Sequence, residues 1–187
     1  MYEKWYFRAL KGILWSLAGE VICFVFILCF FVPMQKFMLA RIFAGLATLV
    51  LVNGLYFNFA YKCAQKDKNA VKYHSAERDP RAGLFMAVTA PLGQYVLWII
   101  LLLSKLGAIS DFVGKYLLLN IQCLPWYDLF TDNRTIEHLA PAGLAGLLLL
   151  TLISPAVLFI TYELTYREID VKAILMYGKN KGGTDRD

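Results

Sequence analysis

The stretch from Ile13 to Val32, ILWSLAGEVICFVFILCFFV, sets the solvent in which the rest of the chain must fold. About twenty apolar residues rising 1.5 Å each reach across a hydrocarbon core of roughly 30 Å. The stretch carries one charge, Glu20. A carboxylate at membrane depth is costly unless it is paired, protonated or turned toward a cavity, which makes Glu20 the first candidate for function. Three similar stretches follow, at about 42–61, 82–104 and 140–163. The expected fold is an all-α membrane protein, a four-transmembrane-helix bundle with an amphipathic or re-entrant outer segment and an amphipathic C-terminal tail.

Composition agrees once its distribution is considered. The chain is 59% hydrophobic and 18% charged, against about half and a quarter in soluble domains. Its charges are gathered between the apolar runs. The formal charge of +5 is spread over several short segments, which suits orientation in a membrane and argues against nucleic acid as a partner. The four cysteines form no CxxC pair and no Cys/His cluster, so neither a disulfide framework nor a zinc site is indicated.

Residues 1–12, MYEKWYFRALKG, read as a basic, aromatic interfacial segment. The following run is too long for a signal-peptide core and has no small-residue cleavage pattern, so it reads as a retained anchor. Pro33 should end span one, and a short link should fold spans one and two into an antiparallel hairpin. Residues 62–81 form a polar, partly helical loop ending at Asp79-Pro80, a good helix start. Pro91 should kink span three. Residues 105–139 are an outer segment, whose part 112–130 is apolar but interrupted by Lys115, Asn120, Gln122, Pro125 and Asp128. These interruptions favour an interfacial or re-entrant helix over a fifth span. Residues 164–187 read as an amphipathic tail with a disordered end.

Charge sets the orientation. Most of the nineteen basic residues lie in segments 4–11, 62–81 and 167–186, while only Lys36, Arg41, Lys105, Lys115 and Arg134 fall on the other side. The positive-inside bias places both termini in the cytoplasm, and the short loops favour a bacterial plasma membrane. Asn133-Arg134-Thr135 would be a glycosylation acceptor only in a secretory pathway.

Glu20, Asn53, Gln94 and Ser154 bring one polar group from each span to a similar depth, with Ser16 and Cys23 flanking Glu20 on its own face. Ala142 and Gly146 mark a small-residue stripe on span four, continuing through Leu150 to Ser154, suited to close helix approach. An outer acidic set of Asp128, Asp132, Glu137 and His138 matches no EF-hand or HExxH pattern, so no metal and no cofactor are expected. His74 has no neighbouring nucleophile and should be solvated.

Three functions are therefore weighed. The first is a non-enzymatic accessory or assembly subunit that engages the lipid bilayer, anionic lipid at its basic segments, and other membrane proteins or further copies of itself. The second is a small transporter or channel component with Glu20 as its proton- or cation-binding group. The third is an enzyme at the outer interface.

Overall fold

The computed structural model describes residues 5–74, 79–131 and 135–167. Asp132, the Asn133 acceptor, the His74 side chain and the tail beyond residue 167 lie outside the described residues. Every regular element among those described is helical. Helix α1 (Trp5–Phe26) passes into a π-helical turn, Ile27–Phe31, and a 3-10 turn, Val32–Met34. It is followed by α2 (Met38–His74), α3 (Ala82–Thr89), α4 (Leu92–Lys105), α5 (Val113–Leu119), α6 (Leu124–Phe130) and α7 (Pro141–Tyr166). Three helical stretches, Trp5–Met34, Met38–Tyr73 and Pro141–Tyr166, are long and apolar enough to cross a membrane. The pair α3–α4, bent by 48°, becomes a fourth if it is counted as one broken span.

Local chemistry explains the boundaries. Pro91 has no N–H to give and crowds the preceding turn, so the bend falls where the sequence placed it, between Thr89 and Leu92. Gly107 sits at φ 76°, and the bonds Gly107 N–H to Ser104 O and Ala108 N–H to Leu103 O close α4 with a Schellman turn. Pro141 opens α7 behind an extended Ala140. At α3 the helix begins two residues later than Asp79-Pro80 suggests. The Asp79 carboxylate accepts the Arg81 N–H at 2.9 Å, in the turn ahead of the helix. Span one runs past Pro33 to Met34, because the π turn lets Val32 N–H reach the carbonyl of Ile27, five residues back.

Helix α2 is the central post. It packs most extensively on α7, then on α1 and α6, while α3 packs on α7. Its 37 residues extend about 55 Å, so what reads as a polar loop from residue 62 is instead a continuation of the helix to His74. Outward faces are as apolar as inward ones. Leu10, Leu14, Leu17 and Val21 line the exposed side of α1, opposite the buried Gly12, Gly19 and Cys23. A helix apolar all round needs a solvent that is not water.

Helices α5 and α6 form a short hairpin whose 3-10 turn, Ile121–Cys123, packs on α1 and α2, while α6 lies on α2 and α7 and α5 on α4. Its anchors are specific. The Trp126 indole donates to Gly45 O at 3.1 Å, and a Cβ on Gly45 would lie 2.8 Å from that ring. Arg41 donates to Asp128 O at 2.6 Å, meeting the carbonyl end of α6 with a cation. Phe130 seats on Gly143 and Gly146. Gly45→Ala should therefore lower stability by about 1–3 kcal/mol through overpacking, read as a lower melting temperature in detergent. An unchanged melting temperature would show that Trp126 repacks freely.

Candidate functional site

Glu20 lies midway along the helical stretch Trp5–Met34, and the tip of the α5–α6 hairpin comes to meet it. Gln94 Nε2 of α4 lies 3.4 Å from Glu20 Oε1, a long hydrogen bond. The backbone N–H groups of Ile121 and Gln122, in the 3-10 turn between α5 and α6, face the same carboxylate. Glu20 Oε2 is nevertheless buried with no well-formed partner, and so are Gln94 Oε1 and the Tyr56 hydroxyl. Tyr56 comes from α2 and lies beside Ser16, within electrostatic reach of Glu20. Three helices thus turn incompletely satisfied oxygens inward around one carboxylate.

The tip is held by a polar chain. Thr48 donates to the carbonyls of Gly45 and Gln122, and Cys23 Sγ lies 3.9 Å from Thr48 O. Gln122 donates to Asn120 Oδ1, and Asn120 donates to the Tyr116 hydroxyl. Asn120 is wholly buried and breaks the helix at φ −129°, ψ 61°. The Thr48 bond satisfies the Gln122 carbonyl, and backbone bonds from Asn120 N–H to Tyr116 O and from Cys123 N–H to Asn120 O satisfy others in this irregular stretch, which would be costly to bury unpaired.

Of the four polar residues singled out by depth, Glu20 and Gln94 meet. Asn53 instead donates back to Leu49 O on its own helix at 2.9 Å, leaving its Oδ1 buried and unbonded. Ser154 is buried on α7, the helix that packs chiefly on α2. On the small-residue stripe, Ala142 is exposed, and Gly146 receives the ring of Phe130, with a Cβ there only 2.7 Å from Cζ. Gly143, not Ala142, shares that seat.

The outer acidic residues diverge. Asp128 is buried behind Arg41, whereas Glu137 and His138 are exposed. The His138 ring nitrogen Nδ1 is 2.8 Å from Thr135 Oγ1. Among the described residues no group of three His, Cys, Asp or Glu is placed to hold a metal. Lys105 is occupied with the carbonyls of Ile136 and Glu137 at 3.0 and 3.1 Å, which ties segment 135–139 to the end of α4.

A second buried cluster has no counterpart in the sequence reading. Arg8 of α1 grips Asp67 of α2 through both carboxylate oxygens at 2.8 and 2.7 Å, and Tyr162 of α7 donates to Asp67 at 2.6 Å. Both charged side chains are about 95% covered or more. The fork-on-fork geometry gives this pair strength as well as direction. Gly83 of α3 lies under Tyr162, where a Cβ would come within 2.6 Å of the ring. Gly83→Ala should push Tyr162 off Asp67 and destabilise by about 1–3 kcal/mol, checked by thermal unfolding with Tyr162→Phe as background. Full additivity of the two changes would contradict the coupling.

Comparison with protein-family models, curated proteins and solved structures gave no match. The functional reading therefore stands on this geometry.

Proposed function

We propose that the protein is a small, non-enzymatic component of a membrane transport or channel system that takes up a proton or a monovalent cation at Glu20. The observation that supports this most directly is a contrast along the α1–α2 seam. Asp67 is met by a bidentate guanidinium and a phenol, whereas among the described residues Glu20 is met only by an amide and backbone N–H donors. In hydrocarbon the first carboxylate is already neutralised as a pair. The second becomes neutral only by binding something positive.

In this reading α1, α2, the bent α3–α4 pair and α7 are the four spans, and α5–α6 is a re-entrant hairpin. Non-helical backbone at that depth is tolerated where protein covers it, and the tip residues Asn120, Ile121 and Cys123 are buried. The excess of basic residues near Trp5 and Tyr166 supports cytoplasmic termini in a bacterial plasma membrane. Impermeant thiol labels on cysteines introduced at the two ends should react from the same side. Labelling from opposite sides would end the four-span reading.

The accessory-subunit reading has one observation in its favour. The Arg8–Asp67–Tyr162 cluster packs the end of α2 beyond Lys62 against α1 and α7 as a lysine-rich helix, suited to anionic lipid or an acidic partner. The purified chain in vesicles separates the two. Wild-type protein should carry protons, Na+ or K+ under an imposed potential. A protein that neither conducts nor binds any of them would leave the accessory role.

A further inference from the structure

We propose that the guest of Glu20 is a proton, not a metal cation, and that Gln94 is the positioning residue that serves both charge states. This deepens the reading given above and rests on it. Two features of the site favour a proton.

The first is the company the carboxylate keeps. The titratable groups within electrostatic reach are Cys23 on α1, Tyr56 on α2, Tyr116 on α5 and Cys123 at the hairpin tip, while α4 presents the uncharged Gln94. Thiols and phenols are ordinarily neutral at physiological pH. None of these supplies a counter-charge. Two backbone N–H groups, of Ile121 and Gln122, are aimed at the carboxylate instead. Their positive ends face the carboxylate and repel a metal ion approaching it from the hairpin tip. A proton is carried on the oxygen itself.

The second feature is Gln94. Its amide presents Nε2 to Glu20 Oε1 at 3.4 Å, while its own Oε1 is buried and unbonded. A side-chain amide offers a donor on one end and an acceptor on the other. With Glu20 ionised, Nε2 donates to the carboxylate. When hydronium delivers its proton to Glu20 and departs as water, the new carboxylic O–H donates to Gln94 Oε1 after a half-turn of the amide. Each charge state then has a hydrogen bond, so neither is stranded in the interior. Leucine or methionine at this position would support neither state.

The test is an infrared pH titration of the purified protein in lipid, reading the carboxylic C=O stretch between about pH 4 and pH 10, the range between free carboxyl and phenol groups. Subtracting the Glu20→Gln spectrum isolates Glu20. The expected result is one titrating band whose midpoint is the same in Na+, K+ and a bulky organic cation. In Gln94→Met both bonds are lost, and the midpoint should move by about one pH unit because the charge-assisted bond to the carboxylate is stronger than the neutral bond from the carboxylic acid. Gln94→Asn serves if the methionine variant does not fold. A midpoint that moves with Na+ or K+ would overturn the proton assignment and leave the cation reading standing. An unmoved midpoint in the folded Gln94 variant would remove Gln94 from the site. If no band depends on Glu20, calorimetry with NaCl and KCl decides the rest: heat of binding preserves the cation reading, and none sinks both.

Discussion

Arg8→Ala should cost the protein about 3–5 kcal/mol, the usual penalty for stranding one member of a buried ion pair. That is a large share of a typical folding free energy of 5–15 kcal/mol. The change takes both guanidinium bonds from Asp67, whose side chain is about 97% covered in the native protein, and leaves only the Tyr162 hydroxyl of its described partners. The measurement is denaturant- or heat-induced unfolding in mild detergent. Because most of the penalty is the uncompensated charge, an Arg8→Met, Asp67→Leu double variant should recover much of it. A double variant no more stable than Arg8→Ala would show that the cluster contributes through packing around Tyr162 and not through charge.

Glu20→Gln should have the opposite character, with little effect on folding and a large effect on activity. Glutamine keeps the shape of the side chain and can still accept from Gln94 and the hairpin tip, but it cannot exchange a proton or hold a cation. Ion movement into vesicles, measured with an entrapped pH dye and with an imposed potential, should fall to the level of protein-free vesicles. The melting temperature should stay within a few degrees of wild type, since a single hydrogen bond between helices in a membrane contributes about 0.6 kcal/mol on average. Undiminished flux in a folded Glu20→Gln protein would remove Glu20 from the transport reading. A collapse in stability would mean that the carboxylate is the peg that holds the hairpin tip.

The long apolar runs were legible in the sequence because they follow from length and hydropathy alone, and the bend at Pro91 because proline chemistry is local. Glu20 and Gln94 could be matched by counting residues from the ends of their helices. The same arithmetic brought in Asn53 wrongly as a partner: depth says nothing about azimuth, and its amide turns back to Leu49. The Arg8–Asp67–Tyr162 cluster was out of reach for another reason. Arg8 and Asp67 are 59 residues apart and lie in segments that read as interfacial and loop, where charges are ordinary. Only the continuation of α2 to His74 brings them together. The hairpin was open between two readings because its polar residues, Asn120 and Gln122, look like solvent contacts until the Gln122 amide is seen to donate to Asn120 and Asn120 to Tyr116.

The wide turn at Ile27–Phe31 has a geometric consequence for α1. Cys23, Ile27 and Phe31 are each 1% exposed or less, yet four α-helical residues sweep about 400°, so every such step overshoots by about 40°. Two steps would carry Phe31 about 80° off the inner face. The extra residue accommodated in the π turn takes up this angular drift and keeps all three side chains stacked in one file. Deleting one residue from that turn would leave a plain α-helix with Phe31 seven residues from Cys23 and within about 20° of the same file. Winding the turn into α-helix at full length would instead swing the Phe31 ring off the inner face, with Glu20, on the near side of the turn, left where it is in both cases.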